Sequence, residues 1–277
     1  MSPAPPAIAY ARHPARHGIV WLKQAAEMLA AARVPWLMLL LIYYLIQLMV
    51  SVVVPPVGPL AMMVLRPVFT VGFLAAAWTQ ERGGMPEIKH LFRGFRANLW
   101  ALLPIGVVLI AGTTLAVLAT ALVDGGALLE AITGNAKPDE ALAANGRLEA
   151  AMLFAVICAL PSLLAVWFAP ALVVFQDCSA ARALAGSLRA ALANWRPVAV
   201  YGLLLFFCGA VLPGIAVALI AYLIPPAAAP WVVALTVVPY IFLFVAAQTI
   251  SDYVAYRDIF HAPDGEPAPP THIDAQA

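Results

Sequence analysis

Charge is what this chain lacks. Only 10% of its 277 residues are Asp, Glu, Lys or Arg, against about 25% in soluble domains. So few charges cannot clothe a water-facing surface, which excludes a soluble globular class. Cysteine is scarce as well. Cys158, Cys178 and Cys208 stand far apart without metal-binding spacing and read as small apolar fillers in a reducing setting. Catalytic signatures are missing: there is no H-E-x-x-H, no G-x-S-x-G, no phosphate loop and no C-x-x-C. The five histidines (His13, His17, His90, His261 and His272) are scattered over the two tails and one polar link. No carboxylate falls in the core of an apolar run, where a proton relay would need one. No enzyme, cofactor, metal or nucleic-acid partner is expected.

What is present is apolar length. The chain is 64% hydrophobic with a mean hydropathy of +0.92. Six runs are long enough to cross a hydrocarbon core, which takes roughly 20 helical residues. They lie near 36–54, 60–79, 98–122, 150–175, 197–223 and 230–250. Lipid offers the backbone no hydrogen-bond partner, so each must be a helix. The Pro-rich links "PPVGP" and "IPPAAAP" are tight turns, because proline cannot continue the helical ladder.

Basic residues alternate with these runs. Arg12, Arg16, Lys23, Arg33, Arg82, Lys89, Arg93, Arg96, Arg182, Arg189, Arg196 and Arg257 fall on one side, and Lys137 and Arg147 on the other. The positive-inside rule then places both termini in the cytoplasm of a bacterial inner membrane. The tails 1–17 and 256–277 are Pro-rich or poor in apolar residues and are expected to be disordered.

Two stretches resemble each other. "QERGGMPEIKHLFRGFRANLWALLPIG" (80–106) and "QDCSAARALAGSLRAALANWRPVAVYG" (176–202) align without a gap. Gln80 meets Gln176, Glu81 meets Asp177, Arg93 meets Arg189, Ala97-Asn98 meets Ala193-Asn194, and Gly106 meets Gly202. In the first copy Lys89, Arg93 and Arg96 form one stripe opposite Ile88, Leu91, Phe92 and Phe95. In the second, Arg182, Arg189 and Arg196 repeat every seven residues, and Leu184, Leu188 and Leu192 face away. Both patterns suit a helix lying in the headgroup layer. Pro86 and Glu87 are placed to open the first helix and Ser179 to cap the second. A third such helix, "VWLKQAAEMLAAAR", precedes the first run. An even number of spans separates the copies, so the repeat is parallel about the bilayer normal rather than inverted. The basic stripes read either as charge solvated beside an anionic leaflet, about 1 kcal/mol per residue, or as a docking surface for a membrane-protein partner. Asn98 and Asn194, at the turn into a span, cap a helix or bond across the repeat.

Arg66 is the one basic residue well inside a run, in "MMVLRPVF". An ionisable residue at that depth marks a candidate functional position; otherwise it snorkels to the outer surface. Its partner would be a backbone carbonyl, an external acid such as Asp124 or Glu149, or a bound anion. Pro67, Pro104, Pro161, Pro170, Pro213 and Pro239 interrupt five runs and can kink them around a cavity. Gly106, Gly112, Gly202 and Gly209 allow close helix packing.

Four pieces carry a family resemblance: "VWLKQAAEMLAAARVPW", "GPLAMMVLRPVFTVGF", "LFRGFRANLW" and "WFAPALVVFQDCSAARALAGSLRAALANWRPVAVYG". Over about residues 18–255 the chain resembles a family of six-span proteobacterial inner-membrane proteins without an established activity. More remotely it is similar to the membrane domain joined to some glycerophosphodiester phosphodiesterases. No segment is long and polar enough to hold the catalytic domain of those enzymes, so the resemblance implies no phosphodiesterase activity.

The expectation is an all-α polytopic membrane protein of six spans, two or three interfacial helices and a parallel repeat. It organises the inner leaflet without catalysis, through contacts with anionic lipids, a membrane-protein partner or a second copy. The alternative is a transporter or channel for a small or lipid-like solute, built around Arg66 and the prolines.

Overall fold

The computed structural model describes residues 8–55, 57–133 and 147–261, and no strand occurs among them. Six helices are long and apolar enough to cross a membrane: Arg33–Val53, Val57–Glu81, Leu99–Asp124, Arg147–Phe175, Trp195–Leu223 and Ala229–Phe260. They are the first to sixth spans below. The protein is an all-α polytopic membrane protein. A leading helix, His17–Ala31, precedes the first span and packs against the fifth and sixth.

Five spans end within a few residues of their apolar windows. The sixth runs ten residues past Ile250, to Phe260. Its extension carries Asp252, Arg257 and Asp258, which in sequence look like an exit into water. It stays helical because its other faces bury Ile250, Tyr253, Val254, Tyr256, Ile259 and Phe260. The charges are also paired: Arg257 is bridged to Glu81 and bonded to Gln24, and Glu81 accepts from the Tyr253 hydroxyl. Residues 256–260 therefore belong to the bundle rather than to a tail; residues 262–277 lie outside the described residues.

The core sits at one end, called basal here. Trp21, Trp36, Leu91, Phe168, Leu172, Phe175, Ile250, Tyr253, Tyr256 and Phe260 belong to one buried cluster. Towards the opposite end Val52, Leu122, Tyr222, Leu223 and Trp231 are exposed, as a lipid-facing surface requires. Three basal indoles donate to polar acceptors at 2.7 Å: Trp21 to Asp258, Trp36 to Gln80 and Trp167 to Asp252. Each bond removes the cost of burying an unpaired N–H.

The N-terminal tail is also more ordered than expected. Residues 8–16 form a strap across the base. Ala11 N–H donates to the Ile259 carbonyl at 2.7 Å. His13 N–H donates to Asn194 Oδ1 at 2.8 Å, and Asn194 Nδ2 donates to the Ala11 carbonyl at 2.9 Å. Residues 1–7 lie outside the described residues.

The two related stretches take different local forms. The first is a single turn, Ile88–Leu91, followed by a 3-10 turn, Arg93–Arg96, so Lys89 and Arg96 do not share one continuous helix. The cause is close packing on the second span: a Cβ on Gly94 would overlap the Val68 carbonyl oxygen. Leu91 is buried, but Ile88, Phe92 and Phe95 remain exposed. The second stretch is one helix, Ala180–Ala193. Arg196 lies beyond its end, in the first turn of the fifth span. The face this helix turns to the bundle is a small-residue stripe, Ala183, Gly186, Ser187 and Ala190, while Leu192 is 56% exposed. Ser187 donates to the Leu164 carbonyl at 2.6 Å and accepts from Phe168 N–H at 3.0 Å, which fixes that face.

Caps follow the sequence in part. Glu87 is the N-cap of Ile88–Leu91, in a capping box with His90. Asn98 accepts from Ala101 N–H at 3.2 Å. Ser179 occupies the N-cap of Ala180–Ala193 without a side-chain bond.

Candidate functional site

Two partly open cavities lie against the second and sixth spans. One cavity, of 560 Å³, lies between the second, fourth, fifth and sixth spans, lined by Pro67, Leu163, Trp167, Pro170 and Tyr201 among others. A second, of 530 Å³, lies between the first, second and sixth, lined by Tyr43, Gln47, Met62 and Phe73 among others. Four residues line both: Arg66, Thr70, Gln248 and Asp252. These four polar side chains form the wall where the two chambers meet; the first chamber is otherwise largely apolar, and the second also carries Gln47 and Thr249.

Helical spacing produces this wall. Arg66 and Thr70 are four residues apart on the second span, as are Gln248 and Asp252 on the sixth, so each pair shares a helix face. Thr70 Oγ1 donates to the Arg66 carbonyl at 2.9 Å, which leaves its outer surface to the cavities. Pro67 sits beside Arg66 inside the helix.

Asp252 is held from the opposite side. Trp167 Nε1 donates to its Oδ1 at 2.7 Å, and the Tyr201 hydroxyl reaches the same oxygen at 3.4 Å. That hydroxyl also bonds Ser251. Trp167 and Tyr201 stack with ring centroids 5.4 Å apart. Their polar tips fix Asp252 while their faces line the first cavity. Arg66 and Asp252 attract each other electrostatically, yet no carboxylate among the described residues lies within 4.0 Å of the guanidinium. The Arg66 side chain is exposed within the cavities. A cation in that setting has charge to spare for an anion.

Two sequence expectations need correction here. A carboxylate does enter a membrane-spanning helix: Asp252 lies just past the point where the sixth apolar window closes. Asp124 is not a partner for Arg66. It is buried at the end of the third span, where its two oxygens accept from Gly126 and Leu128 N–H at 2.9 and 2.8 Å. The prolines fit the cavity only in part, since Pro67 and Pro170 line it. Pro213 follows a π-turn, Phe207–Val211, whose Cys208 carbonyl accepts from the Tyr240 hydroxyl at 2.7 Å.

The remaining candidates are dispersed. Lys89 pairs with Glu87 at 3.2 Å. Arg93 is half-buried, and Arg96 and Arg189 are exposed. Arg182 is half-buried. Arg196 rests over Trp195, 5.5 Å from the ring centroid. Nothing gathers these six into one constellation.

A second cluster was not foreseen. His13 and His17, from the strap and the start of the leading helix, stack at 4.3 Å beside Asp258 at the end of the sixth span. His17 Nδ1 lies 2.7 Å from Asp258 Oδ2, and His13 Nε2 lies 3.8 Å from it. The one available signal was the four-residue spacing of the histidines. Their carboxylate is 241 residues beyond His17 and 245 beyond His13.

Over 269 residues the chain is 30% identical to a probable inner membrane protein of Burkholderia thailandensis, a match covering 94% of this chain and 97% of that protein. The chain belongs to that protein's family. No family model and no solved structure matches it. These comparisons give no link to glycerophosphodiester phosphodiesterases.

Proposed function

We propose that this is a non-enzymatic protein of the bacterial inner membrane, both termini cytoplasmic, that receives an anionic, lipid-like solute in its paired cavities. The observation that carries the reading is the shared wall of Arg66, Thr70, Gln248 and Asp252 between two chambers, the first largely apolar and the second more polar. The size and character of the first suit an acyl chain. A guanidinium in the shared wall suits the charged head, and recognises carboxylate or phosphate through its planar fork of donors. Asp252 and Gln248 supply an acceptor and an amide that select among heads. This reading favours solute binding or passage over a purely organising role. The remote likeness to a phosphodiesterase membrane domain is carried no further than a likeness of spans.

The test is to purify the protein from bacterial membranes and weigh the lipids it retains by native mass spectrometry. The wild type is expected to hold anionic amphiphiles that Arg66→Gln loses about tenfold or more, the order of one buried charge-assisted bond. Equal retention by Arg66→Gln, or no anionic species on the wild type, would overturn the reading.

The exposed basic residues support a second, compatible role at the leaflet. Arg96 and Arg189 are exposed near the base, where attraction to anionic lipid applies. Partitioning to anionic over neutral liposomes should weaken in Arg93→Glu with Arg189→Glu. Unchanged partitioning would remove this role and leave the cavity reading untouched.

A further inference from the structure

We propose that His13, His17 and Asp258 form a binding site for a divalent transition-metal ion of the zinc class. Their three donor atoms, one imidazole nitrogen from each histidine and a carboxylate oxygen, all lie within 4.8 Å of one another. Ligand atoms around a tetrahedral zinc are roughly 3.3 Å apart, given bonds of about 2.0–2.1 Å. The observed separations of 2.7 Å from His17 and 3.8 Å from His13 to Asp258 Oδ2 bracket that value. The Asp258 carbonyl, 2.9 Å from His13 Nε2, or a water completes four-coordination.

The surroundings hold the ligands as a metal site requires. Trp21 Nε1 donates to Asp258 Oδ2 at 2.7 Å, the kind of outer contact that orients a ligating carboxylate. The His13 backbone is fixed by Asn194 at 2.8 Å. Arg257, next in the chain, is bridged to Glu81 and only attracts Asp258 at longer range. All three ligands are half-buried, which leaves an entry path. Two imidazoles and one carboxylate favour zinc, cobalt or nickel over magnesium or calcium, which prefer all-oxygen sites. A metal ligates imidazole only through an unprotonated nitrogen, so affinity for the ion falls as pH drops. A bound ion would staple the strap to the last turn of the sixth span.

Equilibrium dialysis of the tag-free full chain in detergent against Zn2+ tests the idea. One ion per chain is expected at pH 7.5, displaced at pH 5 and not competed by Mg2+. His13→Gln with His17→Gln, and separately Asp258→Asn, keep hydrogen-bonding groups in place and should weaken uptake at least about tenfold. His261→Gln should leave it unchanged. No zinc retained by the wild type, or equal retention by the ligand variants, overturns the site. Where a variant fails to fold, Co2+ on the wild type decides: a spectrum of nitrogen and oxygen ligation supports the site, and that of hexaaqua cobalt overturns it.

Discussion

Asn98 and Asn194 occupy matched positions in the two related stretches, yet they do different work. Asn98 is exposed and caps the third span through one bond to Ala101. Asn194 is buried and makes three bonds, accepting from His13 N–H and donating to the carbonyls of Ala11 and Ala190. Glu81 and Asp177 diverge likewise. Glu81 anchors the sixth span through Arg257 and Tyr253. Asp177 makes a turn with φ of 48°, the single non-glycine residue at positive φ among the described residues. Similar sequence supplies the same chemical groups, and what lies across from them decides their use. The second copy faces the N-terminal strap, and the first faces the spans and the leading helix, where Gln80 donates to the Met28 carbonyl at 2.7 Å.

The largest effect should come from removing the asparagines. Asn194→Ala leaves the half-buried His13 N–H and the Ala11 carbonyl short of a partner, while the Ala190 carbonyl keeps the backbone N–H of residue 194. At about 1–3 kcal/mol for each group left unsatisfied, the loss is on the order of 3 kcal/mol. Asn98→Ala should cost about 1 kcal/mol, the ordinary value of a helix cap. Unfolding in mixed micelles titrated with denaturing detergent would measure both. Faster protease cleavage within residues 8–16 of Asn194→Ala alone would sharpen the contrast. Equal losses would break it.

The matched glycines come next. A Cβ on Gly106 would overlap the Val64 carbonyl oxygen, and backbone cannot swing aside as a side-chain tip does. Nothing lies within 4 Å of the corresponding position on Gly202, which lines the first cavity. Gly106→Ala is therefore expected to cost about 1–3 kcal/mol by overpacking. Gly202→Ala should leave stability unchanged or raise it by up to about 1 kcal/mol, since alanine is the better helix former. A melting-temperature series of the two variants reads the difference directly.

These contrasts mark how far the sequence could be read. The six spans were legible because length and hydropathy are local properties, and so was Arg66, a charge where none is expected. The other half of the site was not legible. Asp252 follows the apolar window at Ile250, and an acid there ordinarily marks a helix leaving the membrane. The burial of Tyr253, Tyr256 and Phe260 against other elements, with the pairing of Arg257, keeps the helix going. The helical face of Ala180–Ala193 misled for a related reason. Leucines look like the buried side of an amphipathic helix, but inside a membrane protein they can face lipid, while alanine, glycine and serine make the close contacts. The histidine cluster needed a partner from the far end of the chain, which no local pattern carries.

The smallest expected effect again separates the two stretches. His90 is buried in the first, and the matched position in the second is Gly186, which cannot titrate. Glu87 N–H donates to His90 Nδ1 at 2.9 Å, so that nitrogen must be unprotonated. Burial, helped by the positive charge of Arg93, pushes the imidazole below its ordinary value of 6.5. The sign follows from linkage. Below about 6.5 the unfolded chain takes up a proton that the folded chain resists, so stability falls as pH falls through that value and levels off once the folded imidazole also protonates. Burial depresses His261 in the same direction, so the wild-type slope contains both histidines. His90→Gln should flatten part of the slope between pH 7.5 and 5.5, and His261→Gln a further part. If His90→Gln left the slope intact, the Glu87 bond would not depend on a neutral imidazole. The turn at Ile88–Leu91 would then be held by its packing on the first and second spans.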